Sequence, residues 1–446
     1  MTELHDLASK VVGWVDEGEQ LEVYASRGRS TSVFAYGGEV ESLRSGTSQG
    51  VGIRIVKDGR QGFASAGSLD EEILRATLTE ARENASLAEP DDHVGLAEPD
   101  GVAFPNIEMF DGRLHKVTDD QRVELALSAE RSVTGRDPRV QGVRTAVYGD
   151  GWGEAAIVST TGIDVWSEGG SASVSVSPLA VDGEETQIGY AGAAGHHPDD
   201  LDLDDVGREA VERTIGMLGG VKPESRRVTA LLEKRVVASL LGIVAGTLSG
   251  DSVTRGRSPF GDRMGEAIAV PGLTLVDDAT NAESLAADIH DGEGLATRRN
   301  ELIVDGVLTT FLYHTESARR AGASSTGSAV RGARSTPGVG VQAMSFVPGD
   351  LDWDALIAAV GDGVLIESVN GLHSGTNPVS GDISVGIQGH AIRNGQLAEP
   401  IREATIATTL QRLLLDIVHV GGDFEYLPSG TGSASLVVDG IALSGS

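Results

Sequence analysis

Metal chemistry and acyl transfer both need particular side chains at defined spacings, and this sequence offers few such patterns. Its ten histidines are His5, His93, His115, His196, His197, His290, His314, His373, His390 and His419. No two stand four residues apart, so no helix presents the paired imidazoles of an HExxH zinc site. Cysteine is absent, which removes disulfides, thiolate ligands and cysteine nucleophiles together. His196-His197 lies beside Asp199-Asp200, but neighbouring side chains diverge, and a solvated loop is the favoured reading. His290-Asp291-Gly292-Glu293 has the oxygen donors of a weak hard-cation site. A turn leading into a strand is the simpler account of it.

A nucleophilic serine needs a base to take its proton and an acid to orient that base. The stretch from Gly371 to Asp382 holds His373, Ser380 and Asp382, which makes an autonomous serine-type hydrolase one alternative. Ser, Asn, Gly and Pro are also turn formers, and no G-x-S-x-G elbow accompanies them. A structured loop is therefore favoured. The run Ser324–Arg331 is rich in hydroxyls with one arginine. There Ser325, Thr326 and Arg331 could line a groove for peptide backbone or carboxylate, with a plain polar loop as the alternative. Gly327-Ser328 and Gly338-Val339-Gly340 lack the lysine of a phosphate-binding loop.

The elements that must position these residues read as α+β, with mixed, antiparallel-sheet domains first and a β-rich domain last. Residues 1–88 open with a helix bearing Leu4, Leu7, Val11, Trp14 and Val15 at helical spacing. Short strands follow at Leu21–Ala25, Ser32–Tyr36, Val40–Arg44, Gly50–Lys57 and Gly62–Ala66. Turn signals at Arg27-Gly28, Gly37-Gly38, Ser45-Gly46 and Asp58-Gly59 separate them. A helix then spans about Asp70 to Ala85. Residues 89–112, with Pro90, Pro99 and Pro105, read as a linker. The middle domain, 113–222, starts a helix at the capping box Thr118-x-x-Gln121. It continues through strands near Gly142–Tyr148, Glu154–Ser159, Asp164–Ser167 and Ala172–Ala180, and a helix that ends at Gly219-Gly220. The C-terminal domain, 223–446, is expected to hold helices at Leu231–Leu248, Trp353–Val360 and Ile406–Val418. A strand pair at most is expected over Ala434–Leu443.

The chain has 446 residues, 66 acidic against 35 basic, for a formal net charge of −31. Nucleic acid and anionic membrane both demand clustered basic charge, so neither is an expected partner. No apolar run approaches the ~18 residues that span a bilayer, and residues 1–20 lack the pattern of a signal peptide. A cytoplasmic protein is the expectation. Glycine, at 60 residues, implies many tight turns, and with 4% aromatics the cores must be built from Ala, Val, Leu and Ile.

Several segments, in order, resemble one family, the TldD/PmbA proteins once described as modulators of DNA gyrase. They are Gly50-Val51-Gly52-Ile53-Arg54 with Gly62-Phe63-Ala64-Ser65, then Leu275-Val276-Asp277-Asp278. Next come Asp291-Gly292-Glu293-Gly294, Thr297-Arg298-Arg299 and Ser325-Thr326-Gly327. Asn377-Pro378-Val379-Ser380-Gly381-Asp382 and Ile392-Arg393-Asn394-Gly395 complete the set. The resemblance implies a peptidase whose two branches pair as a heterodimer acting on flexible peptides. In that family the metal-bearing branch carries an HExxxH helix and a distant cysteine ligand. Anchored on Gly250-Asp251, the two histidine positions fall here on Leu241 and Gly246, and the glutamate on Gly242. None of the three can bind zinc. The chain is thus similar to the PmbA, or TldE-like, branch, with no metal or cofactor expected in it and zinc expected in the partner. The implied partner is an HExxxH subunit; the alternative is a non-enzymatic binding or scaffold protein that pairs with a second copy of this chain. The resemblance also makes Ser325, Thr326, Arg331, Asn377 and Ser380 candidates for a peptide-binding cleft.

Overall fold

Alternating apolar and polar residues write long strands into the first half of the chain. The computed structural model, which describes residues 2–445, pairs them into one antiparallel sheet. Helix α1 (Glu3–Val12) leads to β1 (Gln20–Tyr36), β2 (Glu39–Lys57), β3 (Arg60–Ala66) and α2 (Glu71–Leu87). After an extended stretch, α3 (Asp119–Arg131) precedes β4 (Val140–Ser159), β5 (Asp164–Asp182), β6 (Glu185–Ile188), β7 (Ala191–Gly195) and α4 (Leu203–Gly216). The strand order is β3-β2-β1-β4-β5-β6, with β7 also paired to β5. Helices α1 and α2 bury Leu4, Leu74 and Leu78 against Leu21, Val23 and Ile53. Further along the same sheet, α3 and α4 pack Ala126, Ala129, Val206 and Ala210 near Val33, Tyr148 and Val174.

The strands are longer than the sequence suggests. Arg27-Gly28 and Ser45-Gly46 are not turns; β1 and β2 run straight through them. The same correction applies between Tyr148 and Glu154 and between Ser167 and Ala172, where β4 and β5 continue. Gly28 shows the reason, since a Cβ there would come within 2.8 Å of the Trp152 carbonyl oxygen in β4. Its glycine permits close backbone approach inside a sheet, not a reversal. The true reversals sit at Gly37-Gly38 and at Asp58-Gly59, where all four residues have positive φ.

The second half begins with β8 (Arg226–Leu232), α5 (Lys234–Thr247), α6 (Gly250–Thr254) and β9 (Leu275–Asp278). Then follow β10 (Arg299–Val304), β11 (Val307–Leu308), α7 (Thr315–Ala321), β12 (Ala329–Val330), β13 (Gly338–Val339) and β14 (Met344–Phe346). Helix α8 (Trp353–Val360), β15 (Gly363–Asn370), α9 (Leu372–Gly375), β16 (Asp382–Arg393), β17 (Gln396–Thr409) and α10 (Leu410–Leu415) continue the chain. It closes with β18 (Ile417–Val420), β19 (Glu425–Tyr426), β20 (Gly432–Ser433) and β21 (Leu436–Ser444). The main sheet has the order β17-β16-β15-β8-β21-β18, and β17 also pairs with β21, so the sheet closes on itself. Only β8 and β15 run parallel within it. The fold is α+β, with a strand-rich C-terminal half.

Three local expectations change here, two of them because a short apolar run reads as helix or strand alike. Leu231 and Leu232 belong to β8, and the helix starts only at Lys234. The helical spacing of Ile406, Leu410, Leu413, Leu414 and Ile417 comes from a strand, one short helix and a second strand burying into the same core. Where a strand pair at most is expected over Ala434–Leu443, the chain forms the single strand β21, which pairs with β8, β17 and β18.

Candidate functional site

A strand loses its neighbour where the neighbouring chain turns away, and this happens at β15. Strand β8 pairs with β15 only from Gly363 to Ile366, because the chain leaves β8 at Glu233 and enters α5. Glu233 is the cap: its carboxylate accepts from the Arg235 backbone N–H at 2.9 Å. Residues Glu367–Asn370 therefore bond to β16 alone and present a strand edge to a cleft. The opposite wall is α4 with the end of β7. The cleft has two compartments, of about 580 and about 480 Å³, which share Arg213, Met217, Arg235 and Glu367.

Its charges are ordered across the seam between the two halves. Glu209 of α4 accepts from Arg213 Nε at 3.0 Å and from Arg235 Nη2 of α5 at 2.9 Å. Glu233 accepts from the same two guanidiniums, at 3.2 and 3.1 Å. Lys234 pairs with Glu425. On the floor, His390 Nδ1 lies 2.7 Å from Glu367 Oε2, and its Nε2 lies 3.0 Å from the Gly216 carbonyl that ends α4. Burial opposes a charged imidazole there, but the hydrogen bond and charge of Glu367 outweigh it and raise the His390 pKa. None of these residues stands out in the sequence. Gly216 and His390 are 174 positions apart, and no local spacing connects them.

The residues singled out from sequence lie elsewhere, in separate places. Asn377 Oδ1 accepts from the Val379 and Ser380 backbone N–H groups at 3.0 and 3.3 Å, which makes a side-chain-closed turn. The Ser380 hydroxyl donates to Asp382 Oδ2 at 2.6 Å, and Gln411 Nε2 donates to the Ser380 carbonyl at 3.0 Å. His373 is exposed on α9, and among the described residues no hydrogen bond or ion pair joins it to Ser380 or Asp382. Thr326 Oγ1 accepts from the Tyr313 backbone N–H at 2.7 Å, and Ser325 Oγ donates to the Tyr313 carbonyl at 3.3 Å. Arg331 turns inward: its side chain is 0% exposed, pairs with Glu22 and lies 5.0 Å from the Tyr24 ring centre. Glu22 also receives Arg54 through two hydrogen bonds, at 3.0 and 2.8 Å.

Backbone N–H groups reach both carboxylates of the His290–Glu293 run, while the second Glu293 oxygen faces Arg54 at 3.6 Å. Asp291 accepts from the N–H groups of Glu293, Leu295 and Ala329 at 2.9 to 3.0 Å, and Glu293 accepts from that of Thr315 at 2.8 Å. Burial, with the charge of Glu293 beside it, pushes the Asp291 carboxyl above its usual range. Among the described residues no group of three or more His, Asp or Glu side chains could hold a metal ion. On α5, Leu241 turns into the core, while a Cβ on Gly242 or Gly246 would meet only open space. None of the three positions supplies a donor atom, so zinc does not fit there.

Comparison with known proteins matches three family models along the chain. They are the PmbA/TldA metallopeptidase domain 1 over residues 21–85, the central domain over 112–218 and the C-terminal domain over 225–445. The metalloprotease PmbA of Escherichia coli O157:H7 is 28% identical over 407 residues, covering 91% of this chain and 88% of that protein. An uncharacterized protein of Methanocaldococcus jannaschii is 30% identical over 394 residues, covering 85% of this chain and 86% of its own length. The crystal structure of TldE from Thermococcus kodakarensis has the same fold, with a TM-score of 0.90, 23% identity and full coverage of both chains.

Proposed function

The chain belongs to the PmbA/TldD metallopeptidase family, and from that membership we propose that it is the metal-free subunit of a two-chain peptidase acting on flexible peptides. The observation that carries this reading is α5, where Leu241, Gly242 and Gly246, the positions the resemblance assigns to HExxxH, bear no ligating or general-base side chain. A partner of the same family with HExxxH would hold zinc, which supplies Lewis-acid and metal-bound-water chemistry when present. This chain's contribution is shape and binding. The free edge at Glu367–Asn370 can accept an extended peptide by backbone pairing, which tolerates many sequences. Ser239 of α5 lines the cleft beside that edge, and Gly242 and Gly246 are exposed further along the same helix.

The acidic surface fits a cytoplasmic protein that avoids nucleic acid and anionic membrane, and no helix of the described residues is long and apolar enough to cross a bilayer. The serine-hydrolase alternative gains no support, because the Ser380 proton is directed to Asp382 and not to an imidazole. Reconstitution tests the proposal. Mixing this chain with the HExxxH-bearing family member of the same genome should yield a stable complex that cleaves an unstructured peptide. Peptidase activity in this chain alone, or a second copy of it as the only companion, would overturn the reading.

A further inference from the structure

His390 stands on β16 with an acceptor at each ring nitrogen: the Glu367 carboxylate at 2.7 Å and the Gly216 carbonyl at 3.0 Å. A neutral imidazole has one N–H and can satisfy only one of them. Both contacts together require a second proton at this joint, whether it rests on Nδ1 or is shared toward Glu367 Oε2. Gly216 is the last residue of α4, in the first half of the chain, whereas Glu367 and His390 belong to the closed sheet of the second half. Met217, the next residue, lines both compartments of the cleft.

We propose that His390 is a proton-dependent clamp that ties the end of α4 to the β15–β16 floor and so sets the width of the cleft. The surroundings favour the held proton. Helix α4 faces the ring with Glu209, Glu212 and Arg213, and α5 with Lys234 and Arg235. Asp200, Asp202, Asp205 and Arg208 complete that wall, and Glu425 with Tyr426 closes the far side. Arg213 and Arg235 are engaged by Glu209 and Glu233, Lys234 by Glu425 and Arg208 by Asp205, so among the described residues lining the cleft each cation already has a carboxylate partner other than Glu367. When the proton leaves, the one remaining N–H goes to the charged Glu367 acceptor on the same floor, and the Gly216 carbonyl across the seam loses its donor. The tie between the two walls is then lost. The clamp is a property of the cleft itself and does not depend on the peptidase reading.

Hydrogen–deuterium exchange on the intact chain tests it. Exchange at the imidazole C2 position in the peptide containing His390 follows its titration, and amide exchange over 210–218 reports the hold on α4. His390 should titrate above the ordinary value of about 6.5. Past that midpoint the α4 amides should exchange about tenfold faster, after correction for intrinsic chemistry. In H390Q they should be fast at about pH 6 and about pH 8.5 alike, and E367Q should lower the His390 midpoint. Cooperative urea unfolding checks that both variants are folded. A midpoint at or below about 6.5, or a pH response of α4 that survives in H390Q, would overturn the proposal.

Discussion

Glu22, 1% exposed, is held between the guanidiniums of Arg54 and Arg331. Burial alone would push its carboxyl up, but the two arginine charges and their hydrogen bonds outweigh that and hold it below the usual range. Arg54 also lies 3.6 Å from Glu293, so the node joins β1 and β2 to the loops around Glu293 and Arg331. Glu22→Ala leaves two buried cations without their shared counter-charge, and should cost about 3–5 kcal/mol in urea unfolding at neutral pH. The sign with pH follows from the lowered pKa. The Glu22 contribution is full above about pH 4.3 and fades as pH falls through the folded value, a fade that Glu22→Gln should abolish. Sequence alone marks Arg331 as a residue of interest but aims it at a substrate. Its true partner lies 309 positions away, and only the tertiary fold brings them together.

At the scale of elements, glycine separates what was legible from what was not. Gly242 and Gly246 sit in the interior of α5 facing open space, where glycine weakens a helix and nothing local requires it. Changing either to alanine should stabilise the protein by roughly 0.5–1 kcal/mol. Gly62 in β3 contrasts with them: a Cβ there would run into the Ala81 carbonyl and the Ala85 backbone of α2. Gly62→Ala should destabilise by about 1–3 kcal/mol or more, and thermal or urea unfolding of the three variants compares both signs. Helices with a clear start signal or apolar run, such as α3 with its Thr118–Gln121 capping box and α8 at Trp353–Val360, could be read directly. Strand ends could not. Gly28 and Gly46 look like reversals until the neighbouring strand is known, and Ile406 and Ile417 look helical until their sheet partners are. The cleft escaped for the same reason, since the free edge of β15 exists only because β8 stops at Leu232.

For the whole molecule, a formal charge of −31 sits on two packed halves whose seam holds an ordered cluster of Glu209, Arg213, Glu233 and Arg235. The family was legible because its matching segments are spread in order along the chain, from Gly50 to Gly395. The absent cysteine was equally plain, and the assignment of the family's histidine positions to Leu241 and Gly246 rests on the resemblance anchored at Gly250-Asp251. What the fold adds is a cleft with an unpaired strand edge, lined by Val236 and Ser239 of α5 and floored by His390. The central claim is that this chain shapes a peptidase chamber without holding its metal. Elemental mass spectrometry of zinc tests it most directly, on the chain purified alone and in complex with the HExxxH-bearing subunit. The account predicts about one zinc per complex and less than about 0.1 per isolated chain. Close to one zinc bound by the isolated chain would contradict it.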